Sequence, residues 1–198
     1  NEPHYYVFTE LNPDPSLVAL VVNVFNQVAN RIHTVLPNAL CGINSCNVKA
    51  FLDYFVRHGE GVGFLGFHKY DAGDPPDWSW FSDEEVLQRA SWGCQWPLAE
   101  YTPIQMRDLW RAARNEDLPV ICSETNLNWA WERGTDPRIQ KLIGGVWYAE
   151  EIVSFVKMGV RNSVYYTFAS SKVWGETYTE TKGWGFGMME CDMSFNEW

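Results

Sequence analysis

Leu118-Pro119-Val120-Ile121-Cys122-Ser123-Glu124-Thr125-Asn126 decides how this chain is read. It is a short apolar run that ends in a carboxylate. Runs of this length, set between polar helical segments, are buried parallel strands. A Glu at such a strand exit is unusual, because a buried carboxylate is costly unless it has partners or a task. The bland alternative is a solvated loop Glu, so the neighbouring segments must decide.

Working outward, the same alternation recurs on both sides. Asp14-Pro15 has the form of an N-cap followed by proline at the first helical position. Leu17, Val21, Val24, Phe25, Val28, Ile32, Val35 and Leu36 then recur at helical spacing and predict one apolar face. Ala39 to Ile43 reads as a strand. Asn47 is the expected cap of a helix that turns Val48, Phe51, Leu52, Phe55 and Val56 inward. Val62 to Phe67 is the next strand, with His68-Lys69-Tyr70-Asp71 as its exit. An insertion rich in Trp and Pro covers about 72–101, and Ser82 with Glu85 makes a capping box inside it. Thr102-Pro103 starts a further helix. Beyond the opening stretch, Asp136-Pro137 starts a helix expected to reach about Met158, and Asn162 to Phe168 is a last strand. Strands that alternate with helices imply a parallel sheet, either doubly wound or closed as a (β/α)8 barrel. No Gly-x-Gly-x-x-Gly follows a strand, so a dinucleotide fold has no support. If strict alternation holds, Cys122 and Val120 share the side of Glu124 and lie beneath it.

Composition sets bounds. A length of 198 residues suits one core, so 1–198 is read as one domain. A net charge of −10 argues against nucleic acid and anionic membranes as partners. Eleven Trp suit both a core and a surface that stacks on sugar rings. The sequence has no run of 18 apolar residues. Cys41, Cys46, Cys94, Cys122 and Cys191 lack the spacing of a zinc site and are read as structural thiols, with room for one disulfide.

Four motifs in order resemble the retaining glycoside hydrolases of clan A. Asn1-Glu2-Pro3 is similar to the Asn-Glu-Pro that ends their fourth barrel strand, and Phe67-His68-Lys69-Tyr70 to the His-x-Tyr of the sixth. Leu118 to Glu124 is similar to the seventh strand with its nucleophile, and Val164-Tyr165-Tyr166-Thr167-Phe168 to the eighth. The resemblance implies a (β/α)8 TIM barrel, represented here by about its second half. It implies Glu124 as nucleophile and Glu2 as acid/base, with the carboxyl groups about 5–5.5 Å apart. It also implies Asn1 on the sugar hydroxyl beside the anomeric carbon, Tyr70 as a partner of Glu124, and His68 and Asn126 as further substrate contacts. Trp78, Trp129 and Trp174, with Trp80 and Trp131, are stacking candidates. Tyr166 stands where the family carries Trp. Glu10 competes with Glu2 but falls in a connecting loop, while Asp71, Asp74 and Glu176 are read as solvated acids.

The expected function is therefore cleavage of β-glycosidic bonds in a polysaccharide or oligosaccharide, cellulase- or β-glucanase-like, with no cofactor and no metal. The expected location is extracellular or at the cell surface. Earlier strands are expected from upstream sequence or a second chain, and this stretch alone is expected to be inactive. Two competitors are a non-catalytic carbohydrate-binding protein on a degenerate barrel and an α/β enzyme with a metal on Glu124 and His68.

Overall fold

The computed structural model describes residues 14–72, 81–93, 100–127 and 136–165. Four strands form one all-parallel sheet in chain order: β1 (Cys41–Ile43), β2 (Val62–Tyr70), β3 (Val120–Asn126) and β4 (Val160–Tyr165). The helices are α1 (Pro15–Val35), α2 (Lys49–His58), α3 (Asp83–Ala90), α4 (Pro103–Arg114) and α5 (Leu142–Met158).

Local chemistry sets most helix ends. Asp14 accepts from the backbone N–H of Ser16, and Pro15 opens α1. Ser82 with Glu85 and Thr102 with Gln105 form complete capping boxes on α3 and α4. Gly159 closes α5 at φ +71°, a left-handed position that suits glycine. Three expectations need correction. Asn47 does not cap α2. Its N-cap is Val48, and the free N–H of Lys49 donates to the Glu100 carboxylate at 2.9 Å. The helix expected from Asp136 is divided. Residues Pro137–Gln140 form a 3-10 turn, and α5 starts after an extended Lys141. Strands β2 and β3 also run longer than the apolar pattern. β2 includes His68 to Tyr70, and β3 includes Glu124 to Asn126.

The helices α1, α2, α4 and α5 share one face of the sheet. Val18 and Val22 of α1, Phe51, Leu52, Phe55 and Val56 of α2, Met106 and Trp110 of α4 and Phe155 of α5 form one core with Leu65, Phe67, Val120 and Cys122. Phe55 is its hub. It meets Phe25 edge-on at 5.2 Å, stacks on Phe51 at 5.4 Å, and lies 5.9 Å from Trp110. A doubly wound sheet carries helices on both faces, whereas a barrel carries them all outside. Among the described residues the helices that pack on the sheet lie on one face, as in part of a (β/α)8 barrel.

The expected apolar face of α1 is also corrected. Val18, Val22 and Ala29 are buried, while Val24, Val28, Ile32, Val35 and Leu36 are exposed. Apolar residues lie almost all round this helix, so periodicity alone cannot choose the inner stripe.

Candidate active site

The centre of the site is the join between β2 and β3. Phe67 pairs with Cys122, but the next residue, His68, pairs with Glu124. β3 thus carries one extra residue, Ser123, at this point. Bulges of this kind re-aim side chains and gather beside active sites. The sequence expectation that Cys122 and Val120 lie beneath Glu124 fails for this reason. Both face outward into the helical core, whereas the extra residue turns Glu124 to the inner face. Ser123 is held there: its hydroxyl lies 2.5 Å from Asn44 Oδ1 and donates to it. The Cys122 thiol spans the bulge to the Glu124 carbonyl oxygen at 3.4 Å.

On the inner face three of the expected residues come together. The Tyr70 hydroxyl donates to Glu124 Oε1 in a short hydrogen bond. His68 Nδ1 lies 4.0 Å from Glu124 Oε2. His68 and Tyr70 are buried at 5% exposure each, and the Glu124 side chain keeps 19%. Glu124 is thus the most open of the three, with one oxygen on the tyrosine and the other toward the imidazole. Asn126 is fully buried on the same face. Its carboxamide oxygen accepts from the Leu127 N–H at 2.6 Å and from the Tyr165 hydroxyl at 3.3 Å. Burial, then the neighbouring Tyr148 and Glu151, raise the Tyr165 phenol, which stays protonated and able to donate. Asn1, Glu2, Trp78, Trp129 and Trp174 lie outside the described residues, as do Glu10, Trp80, Trp131, Asp74, Tyr166 and Glu176.

The outer face of the same two strands holds a charged group that the sequence reading missed. Lys69, between His68 and Tyr70, is fully buried and ion-paired with Asp71. Asp71 is therefore not a solvated loop acid. It is 1% exposed and also accepts from Trp147 Nε1 at 2.8 Å. Burial works against the charge of Lys69, but Asp71 and then Glu151 more than offset it and raise its pKa. Glu151 of α5 completes the group, with Oε2 3.9 Å from Lys69 Nζ. A signal for it was present. Trp147, Glu151 and Phe155 are spaced by four, so this Glu falls in the buried stripe of α5.

Cys41, Cys46 and Cys122 are buried free thiols. Among the described residues no three His, Cys, Asp or Glu side chains cluster as metal ligands, and no helix is long and apolar enough to cross a membrane. A depression of about 480 Å³ lies at the opposite ends of the strands. It is lined by Arg107, Leu118, Gly159 and Arg161. In barrels that end serves stability and the C-terminal strand ends carry chemistry, which favours the Glu124 end as the candidate site.

The fold, with its polar residues gathered at the strand ends, is that of a partial (β/α)8 barrel. Comparison with solved structures gives the particular relatives. The chain superposes on a monomeric beta-xylosidase from Caulobacter crescentus with TM-score 0.66 and 18% identity, over 99% of this chain and 38% of that one. A GH39 beta-xylosidase from the same organism gives TM-score 0.63 at 18% identity. A GH39 enzyme from Xanthomonas axonopodis pv. citri gives 0.66 at 16% identity, over 99% of this chain and 37% of that chain. This chain thus spans well under half the length of the solved relatives it matches. No protein-family model matches the sequence, and no curated protein matches it.

Proposed function

We propose that this chain is the catalytic portion of a retaining β-glycosidase in which Glu124 is the nucleophile. The observation that carries this reading is the bulge-directed Glu124 carboxylate, hydrogen-bonded by Tyr70 and flanked by His68 at the strand ends. Attack on an anomeric carbon needs a carboxylate held at a fixed angle. A phenol donating to one oxygen supplies that orientation and leaves the other oxygen for the sugar. Glu2 is the proposed acid/base, protonating the leaving oxygen and then activating water. Asn1, His68 and Asn126 are proposed to hold the sugar in register, with Trp78, Trp129 and Trp174 as stacking surfaces.

The proposed substrate is a β-linked polysaccharide or oligosaccharide met outside the cell or at its surface. The sequence reading favours a β-glucan. Two of the solved relatives are named as beta-xylosidases, so aryl β-xylosides belong beside β-glucosides in the first assays. No cofactor is required by this chemistry. The rest of the barrel is proposed to come from further sequence or from a second chain.

The test is Glu124→Gln in the complete protein. Turnover of an aryl β-glycoside is expected to fall roughly 10⁴-fold. With Glu124→Gly, added azide is expected to restore turnover and to give the glycosyl azide of inverted configuration. Hydrolysis by Glu124→Gln at the wild-type rate would remove this residue from the mechanism.

A further inference from the structure

The outer-face group raises a question of proton count. Thr125 Oγ1 lies 2.9 Å from the Lys69 carbonyl oxygen and 2.5 Å from Glu151 Oε1. A hydroxyl has one proton and can donate only once. A backbone carbonyl can only accept. If Thr125 donates to Lys69, the contact with Glu151 requires a proton on Glu151.

The surroundings of Glu151 agree. Its carboxyl is fully buried, and Oε2 has no hydrogen-bond partner among the described residues. The charge of Lys69 is already matched by Asp71, which is in direct contact with it. A second carboxylate would be enclosed with Oε2 3.9 Å from the Lys69 ammonium and no hydrogen bond to it, which disfavours the charged form. Among the described residues the other groups that face it do not supply a cation. Cys122 of β3 is a thiol pushed well up by burial, Tyr148 of α5 is a raised phenol, and Tyr165 of β4 is another. Arg89 of α3 acts on Asp71 rather than on Glu151.

We infer that Glu151 carries a proton at neutral pH and acts as a positioning residue, holding Thr125 on the outer face so that Glu124 stays turned toward Tyr70. Thr125 directly follows Glu124, and Lys69 lies between His68 and Tyr70. The chain Glu151 to Thr125 to Lys69 carbonyl therefore locks the two strands immediately after the bulge. The direction in which Glu124 points depends on that lock, because successive strand residues face opposite ways. The consequence for catalysis rests on the proposed role of Glu124; the proton on Glu151 does not.

Burial raises the Glu151 carboxyl from the ordinary 4.5 to about 8. The native state then holds one more proton than the unfolded chain between those values. Stability is expected to fall as pH rises through that window, by about tenfold in the folding equilibrium per pH unit, and to level off above 8.

The test uses the complete protein and two readouts that do not need turnover. The infrared difference spectrum of wild type against Glu151→Gln is expected to show a protonated-carboxyl C=O stretch at pH 6.5 that fades with a midpoint near 8. Glu151→Gln, whose amide donates at every pH, is expected to flatten the stability profile across the same window. Thr125→Ser should preserve the midpoint, and Thr125→Val should lower it by removing the acceptor of the Glu151 proton. Absence of the band, parallel stability profiles, or a midpoint raised by Thr125→Val would each overturn the assignment. Turnover then tests the positioning role. If the protein is a glycosidase, Glu151→Gln is expected to move the alkaline limb of kcat/KM upward, and an unmoved limb would overturn that role. A band with no hydrolysis at any pH would remove the glycosidase reading and leave the proton on Glu151 in place.

Discussion

The middle of the sheet and its two edges are built on opposite terms. At β2–β3 every outward residue from Leu65 to Lys69 is buried, and even a lysine and two carboxylates are enclosed. At the β1 edge, α1 presents Leu20, Val24, Val28 and Val35 to solvent. At the β4 edge, Ile152, Val156 and Val164 are likewise exposed, Val156 at 72%. The centre satisfies its charges internally, while the edges leave apolar surface open. A closed barrel has no edges, and in one these two faces would be covered. The difference teaches where this chain carries its own stability and where a barrel of this type relies on neighbouring units.

Five substitutions probe that contrast. The largest effect is expected from Lys69→Met, which leaves Asp71 and Glu151 buried without their cation. Removal of one partner from a buried pair costs about 3–5 kcal/mol, read as a lowered urea midpoint. The loss should be greater at pH 9 than at pH 6, because the Glu151 carboxyl, raised to about 8, ionises between those values. Equal losses at the two pH values would separate Lys69 from Glu151.

Phe55→Ala comes next. It empties the hub between Phe25, Phe51 and Trp110. Emptying such a site costs about 3–4 kcal/mol. A loss below 1 kcal/mol in denaturant unfolding would show that the centre is not the main source of stability. Asp14→Ala removes the α1 cap, which accepts from Ser16 N–H at 2.8 Å, and should cost about 1 kcal/mol by the same measurement.

The smallest effect is expected at the two edges. Val28→Gln and Val156→Gln, made in the 198-residue chain, should each change stability by no more than about 0.5 kcal/mol. The same changes in a protein with a closed barrel should cost more, because the residues would then be covered. Equal, small costs in both would argue that these faces are not covered there.

The alternation of elements was legible in the sequence because each local signal acts within a few residues. Asp14-Pro15, Ser82 with Glu85 and Thr102-Pro103 all start helices as expected. The apolar runs at Val62 and Leu118 are adjacent parallel strands. The nearness of His68, Tyr70 and Glu124 was legible too, through motif order. Element ends were read less well, because polar residues such as His68 and Glu124 continue a strand when a neighbouring strand pairs with them. The inner stripe of α1 was ambiguous, since it has apolar residues on every side.

What the sequence determined by itself is the list of elements and the kinds of residue placed at the strand ends. Capping, periodicity and glycine conformation are local, and they survive without knowledge of the fold. What only tertiary structure decided is which way those residues face. One extra residue, Ser123, reverses the alternation of β3, because a strand's side chains have a period of two and its register is set by the partner strand. That slip puts Cys122 in the helical core, Glu124 against Tyr70, and Thr125 beside Lys69 and Glu151. No pattern within β3 encodes it.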